Sequence, residues 1–229
     1  MKIALCLSGQ LRFVEQGYYE SINPNILKLG SVDVFIHTWT ISPEQIGKPF
    51  INGGGHPIGE PVKASVVEDV RELYKPISMV AEPQIQFEVG RWADRTTWYR
   101  SDFMLSMFYS MYASNELKKS YENEHSFTYD WVIRSRFDVA TPSGELQLHH
   151  LDNSSLYVPA DSFDSVNGYV DSLAYSNSPN MDVYSDTYNN VYSIMEDSTM
   201  KLVGEYVLRR HLDNSNINVV TLGTHKLYR

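Results

Sequence analysis

Tyr129–Asp138 reads YDWVIRSRFD and changes character halfway along. Tyr129–Ile133 is a short, mostly apolar run with aromatic and β-branched residues, which suits a buried strand better than a helix. Arg134, Ser135, Arg136 and Asp138 follow at once, so the end of that strand carries two guanidinium groups and a carboxylate. Lys2–Leu7 repeats the plan, ending in Ser8-Gly9, and Val32–Ile36 repeats it again, ending in His37, Thr38 and Trp39. Further strands are read at Ile77–Val80, Ile85–Val89, Leu156–Val158, Leu173–Tyr175 and Ile217–Leu222.

Helical patterns fill the intervals. Phe13–Leu29 holds one helix broken near Pro24, and Ser65 opens another that Pro76 stops. Asp102 is read as the N-cap of the longest helix, whose Phe103, Met104, Met107, Phe108, Met111 and Tyr112 form a core stripe. Ser178-Pro179 opens a helix to about Tyr192, and a last one runs from about Lys201 to His211. Strands alternating with helices, with no repeat or linker, predict an α/β fold: a mainly parallel sheet flanked by helices in a single domain over residues 1–229.

With 42% hydrophobic and 21% charged residues, the chain has enough apolar side chain to exclude a disordered protein. Its net charge of −9 argues against nucleic acid or an anionic membrane as partner. A phosphorylated ligand would require the few cations to gather locally, or a metal. The single cysteine, Cys6, lies inside an apolar run and reads as a buried thiol. The first apolar run is too short for a signal peptide, with Gln10 and Arg12 close behind, and no stretch approaches the ~18 apolar residues of a membrane span. A soluble, cytoplasmic protein is expected. Residues 41–61 carry four of the ten prolines and five glycines, which marks a long surface loop able to close over a ligand. Gly53-Gly54-Gly55 inside it has no following helix and reads as flexible loop.

Open α/β sheets bind ligands beyond the carboxyl ends of their strands. Ser8, Gly9, Gln10 and Arg12, then His37, Thr38 and Trp39, then Arg134, Arg136 and Asp138 are therefore candidates for one crevice. Ser-Gly-Gln-x-Arg suits anionic oxygens, yet it is neither a Walker loop nor a dinucleotide G-x-G-x-x-G, and an ordinary strand-to-helix turn has the same form. A carboxylate at a strand end is costly unless something uses it. Asp138 either pairs internally with Arg136 or holds a divalent ion that bridges a diphosphate, with the arginines neutralising the remaining charge. His37 is a phosphate or metal contact, or a satisfied strand histidine. His149, His150 and His211 have no carboxylate or cysteine at ligand spacing and read as surface.

SGQLR, DVFIHTW, YDWVIRSRFD, VDSLAYSNSPNMDVYS and GEYVLRRHL occur in this order. Together, from about residue 3 to 220, they resemble GT-A-type glycosyltransferase-like proteins of large DNA viruses and bacterial polysaccharide gene clusters. The resemblance implies a GT-A-like (Rossmann-like) sheet, with a nucleotide-binding part at about 1–140 and an acceptor or sugar part at about 141–229. It implies transfer of a sugar from a nucleotide-diphospho-sugar, UDP-type, to a hydroxyl of a glycan or other acceptor, in a host's cytoplasm for a viral protein. By position, Ser8, Gly9, Gln10 and Arg12 match the first nucleotide-binding turn, and Thr38 and Trp39 lie near base or ribose. Arg134 and Arg136 would neutralise the leaving group, and Asp138 would hold Mn²⁺ or Mg²⁺. Arg136 stands where the family's Asp-x-Asp motif has its first carboxylate. Asp171 matches an acidic residue turned towards the acceptor and would act as general base, with Asp161 and Asp164 as rivals. Glu205 would bind acceptor or sugar hydroxyls, or pair with Arg209 along its helix. Tyr169, Tyr175 and Tyr184 are candidates for stacking on sugar faces. The missing first carboxylate keeps a second reading open, a non-catalytic nucleotide-sugar or carbohydrate-binding module.

Overall fold

The computed structural model describes residues 1–51, 55–90, 92, 101–140, 146–160, 168–197, 199–200, 202–223 and 226–228. In chain order, β1 (Ile3–Gly9) leads through α1 (Val14–Gly17), a π-turn and the short α2 (Asn23–Asn25) to β2 (Val32–Trp39). A small hairpin of β3 (Phe50–Ile51) and β4 (Pro57–Ile58) precedes α3 (Val66–Tyr74) and β5 (Ser78–Glu82). The long α4 (Ser101–His125) returns the chain to β6 (Trp131–Ser135) and β7 (Val139–Ala140). Then come β8 (Leu156–Val158), β9 (Leu173–Ser176), α5 (Ser178–Ser185), α6 (Thr187–Met195), α7 (Gly204–Asn214), β10 (Val219–Thr221) and β11 (Lys226–Leu227).

Period-two alternation sorts the side chains into two cores. Ile3, Leu5 and Leu7 of β1 join Val34, Ile36, Trp131 and Ile133 on one face, covered by Val14, Ile22, Ile26 and α3. Ala4 and Cys6 join Phe35 and Val132 on the other, covered by α4, α5, α6 and α7. Ile3, Leu5 and Leu7 are at most 1% exposed, and burying each such side chain is worth about 1.5–3 kcal/mol. The Met104, Phe108 and Met111 stripe is core, as its spacing predicts, and Cys6 is buried with its thiol pushed up to about 12 by burial.

The seven-stranded sheet runs β10-β8-β9-β6-β1-β2-β5 and draws strands from both expected parts of the chain. Every neighbouring pair is parallel except those involving β9. After β1 the chain moves to β2 and β5 on one side, then returns to β6 on the other. That reversal falls at the carboxyl ends of β1 and β6, the place where open α/β sheets take their ligands. Because β9 runs backwards, its amino end lies at this same edge, with Leu173 opposite Ser135.

Several elements differ from the sequence reading. Pairing with β5 carries β2 through His37, Thr38 and Trp39. Ile85–Val89 forms no ladder, because Pro83 removes a donor and ends β5. Phe13–Leu29 breaks into short turns around Pro24. The helix after Asn177, which caps it through Asn180 N–H, divides at Asp186 into α5 and α6. Asp102 sits in the first turn of α4, and Lys201 lies outside the described residues.

Candidate functional site

The predicted basic residues lie around the switch point. Asp138 is buried, and Arg136 grips it with Nε on Oδ1 at 2.9 Å and Nη2 on Oδ2 at 2.7 Å. Arg12 Nη2 lies 2.7 Å from the same Oδ2. Burial pushes the Asp138 carboxyl up, but the two guanidinium groups outweigh it and hold the group below its ordinary value. Gly17 makes the arrangement possible: a Cβ there would overlap the Phe137 carbonyl, so α1 lies directly against the segment that carries Asp138. Of the two readings for Asp138, internal pairing is the one observed.

That pairing bears on the expected Mn²⁺ or Mg²⁺. Both carboxylate oxygens of Asp138 already accept from guanidinium, and an incoming cation would have to displace them. Among the described residues no three His, Cys, Asp or Glu side chains are placed to hold a metal. These residues do not fit a resident divalent ion, and no step below passes through one.

Arg134 is different. It is 1% exposed, points to the α4–α7 face of β6, and donates from Nη2 to Ser8 Oγ at 3.4 Å. Its Nε and Nη1 are buried with no hydrogen-bond partner among the described residues. Burial lowers its pKa, with Tyr184, Asp171 and Asp138 acting in the other direction.

Asp171 stands two residues ahead of β9 and so reaches the carboxyl edge. Its backbone carbonyl accepts from Tyr184 Oη at 3.3 Å, and its Oδ2 is 3.1 Å from where a Cβ on Gly204 would lie. Glycine at the start of α7 therefore leaves room for this carboxylate, which makes no hydrogen bond or ion pair among the described residues. Glu205, in the first turn of α7, packs its Cβ against Gly168 while its carbonyl accepts from Tyr169 N–H at 3.1 Å. Arg209 pairs with Asp213 at 3.5 Å and lies over the Tyr169 ring. Asp161 and Asp164 lie outside the described residues.

The remaining predicted contacts face inward. Thr38 Oγ1 donates to Gly9 O at 2.8 Å, and Trp39, 5% exposed, stacks on Tyr109. Neither side chain is open to a base or ribose, because pairing with β5 runs to the last residue of β2 and buries both. His37 proves a satisfied strand histidine: Nε2 meets Glu82 Oε1 at 2.9 Å and Nδ1 meets Ser110 Oγ at 2.8 Å. Burial lowers its pKa despite Glu82, so a neutral ring makes these bonds. Ser110 Oγ also accepts from Gly9 N–H at 2.9 Å, which ties the Ser8–Gly9 turn to α4. This Ser110–His37–Glu82 chain was not legible in the sequence; a serine inside the α4 apolar stripe was its only trace. Ser110 is fully buried, so it positions the turn and is no open nucleophile. Tyr175 stacks on Tyr157 in the core and Tyr184 is fully buried, leaving only half-buried Tyr169 of the three proposed sugar contacts. His149 and His150 are exposed, whereas His211 is buried, bound through Nε2 to Val183 O at 2.7 Å.

Arg12 also borders a cavity of about 270 Å³, walled by Leu11, Phe13, Ile58, Lys63 and Val66. The 41–61 segment forms part of this wall. Phe50 is buried, and Ile46 bridges to Val62, so the described part is anchored against the core. Gln10 is half-buried and its carbonyl accepts from Arg12 N–H at 2.9 Å. Among the described residues, no helix is long and apolar enough to cross a membrane.

No protein-family model matches the chain, and no curated protein matches it. Among solved structures it is similar to the apo-form glycosyltransferase GlyE of Streptococcus pneumoniae TIGR4, at a TM-score of 0.49 and 11% identity. The match covers 96% of this chain and 45% of that one, so this chain spans less than half the length of that protein.

Proposed function

We propose that this chain is a GT-A-like glycosyltransferase that binds a nucleotide-diphospho-sugar, UDP-type, and passes the sugar to a hydroxyl of an acceptor glycan. One observation carries the reading: an acidic chain turns two arginines, Arg12 and Arg136, onto one buried carboxylate at the switch point, with a third, Arg134, on the strand that leads there. Preorganised cations at a site where negative charge develops are the largest usual contribution to such catalysis. The order of the five sequence motifs supports sugar transfer in particular.

In this mechanism Arg12 and Arg136, fixed in orientation by Asp138, face the diphosphate beside Ser8, Gly9 and Gln10. The acceptor hydroxyl gives its proton to the Asp171 carboxylate, and the acceptor oxygen forms a bond to the anomeric carbon. The bond from that carbon to the diphosphate breaks, and its electron pair leaves with the nucleoside diphosphate, whose charge Arg136 and Arg12 neutralise. Attack opposite the leaving group inverts the anomeric carbon. Glu205, at the start of α7, is assigned to sugar or acceptor hydroxyls.

A thermal-shift screen of nucleotide sugars with and without Mn²⁺, followed by a UDP-release assay, tests this reading. One preferred donor should raise the melting temperature and release UDP when acceptor is added. Stabilisation without release would instead support the non-catalytic binding module, a reading that the lack of a metal-ligand set at Asp138 favours. Absence of any nucleotide effect would sink both.

A further inference from the structure

We infer that the acceptor is an acidic sugar, whose carboxylate or phosphate oxyanion seats on Arg134 while its reacting hydroxyl meets Asp171. The inference rests on the proposed transfer reading and deepens it. Arg134 is a buried guanidinium with two nitrogens unsatisfied among the described residues, and a buried donor left without a partner is costly, more so when charged. A structure that keeps such a group at a binding edge has a use for it once a ligand arrives. Ser101, one turn ahead of Met104 on α4, is a second buried donor without a partner. Met104 and Met107 in turn reach the Gly204 position at the start of α7, so the amino ends of two long helices border this place.

The placement separates this anion from the donor diphosphate. Arg12 and Arg136 converge on Asp138, whereas Arg134 makes its one hydrogen bond to Ser8 and lies in the field of Asp171. Asp171 and Arg134 act on each other through space but form no ion pair. A neutral sugar would satisfy Asp171 and leave Arg134 unaccompanied. A simple anion would satisfy Arg134 and be repelled by Asp171. A sugar with both an oxyanion and a hydroxyl satisfies the two together.

Calorimetric titration of the whole chain with methyl β-D-glucuronide, methyl β-D-glucoside, inorganic phosphate and, separately, UDP tests the proposal. The wild type should bind the glucuronide about tenfold or more tightly than the glucoside, in keeping with a charge-assisted hydrogen-bond pair, and phosphate should compete with the glucuronide. Arg134→Met should erase the preference, and Arg134→Lys should keep part of it. Equal binding of the two glycosides, no binding of either, or full preference in both variants would overturn the inference. Should the variants fail to fold, the wild-type preference and the phosphate competition decide. UDP is read independently: a wild type that binds glucuronide but not UDP would contradict the donor reading and leave the oxyanion seat standing.

Discussion

Two charged clusters share the carboxyl edge of the sheet and are built in opposite ways. Around Asp138 every charge is answered within the protein, by Arg136 through two hydrogen bonds and by Arg12 through an ion pair. A few residues away, among the described residues, Arg134 keeps two buried nitrogens without hydrogen-bond partners, and Asp171 lies in its field without forming an ion pair with it. The first cluster is a structural clamp whose carboxylate is paired at both oxygens, and it also aims two guanidinium groups. The second is the one that, in the proposed reading, a substrate would complete. Burial and charge alone do not distinguish a strut from a site; the distribution of unmade bonds does.

Substitutions that attack the two clusters should therefore fail differently. Asp171→Asn should lower the transfer rate about 10²–10⁴-fold, the range for losing a general base, with donor affinity nearly unchanged. Equal losses in rate and affinity would assign Asp171 to binding instead. Asp138→Ala should cost stability first, about 3–5 kcal/mol in urea unfolding, because it leaves two guanidinium groups without their carboxylate. A normal midpoint together with lost activity would place Asp138 in the second cluster.

The clamp also predicts an acid limit. Asp138 has a depressed value in the folded chain, so its contribution is present above the unfolded value near pH 4 and is lost as pH falls through the folded one. Unfolding free energies measured from pH 5 downwards should fall less steeply for Asp138→Asn than for the wild type; parallel curves would contradict the assignment. Gly204→Ala sharpens the other side with a smaller effect. Its Cβ would press on Asp171 Oδ2 at 3.1 Å, so turnover should fall about tenfold while the melting temperature barely moves. Unchanged turnover would mean that the Asp171 carboxylate is free to shift.

Local pattern announced the strut better than the site. Alternating apolar residues in Ile3–Leu7 and Trp131–Ile133 specified the strands and their two faces, and the methionine stripe of α4 specified its buried side. Arg136 and Asp138 stand two apart, so their pairing was a visible option in RSRFD. Arg12 reaches Asp138 only because β1 and β6 are neighbours, which no local pattern reveals. Thr38 and Trp39 follow the apolar run and read as an open strand end, but pairing with β5 takes them into the ladder and buries them. The position of Asp171 depends on the reversal of β9, a fact of sheet topology rather than of the residues around it. Orphaned nitrogens on Arg134 are likewise a property of what surrounds it in space.

In the proposed reading an arginine clamp, with no ligand set for a divalent ion among the described residues, receives a nucleotide diphosphate at the switch point. Titration of UDP into the wild-type chain in excess EDTA tests it most directly. Saturable binding of the same strength as in Mn²⁺ is predicted, weakened about tenfold or more by Arg136→Gln. Binding that appears only when Mn²⁺ is restored, or that is unchanged by Arg136→Gln, would contradict it.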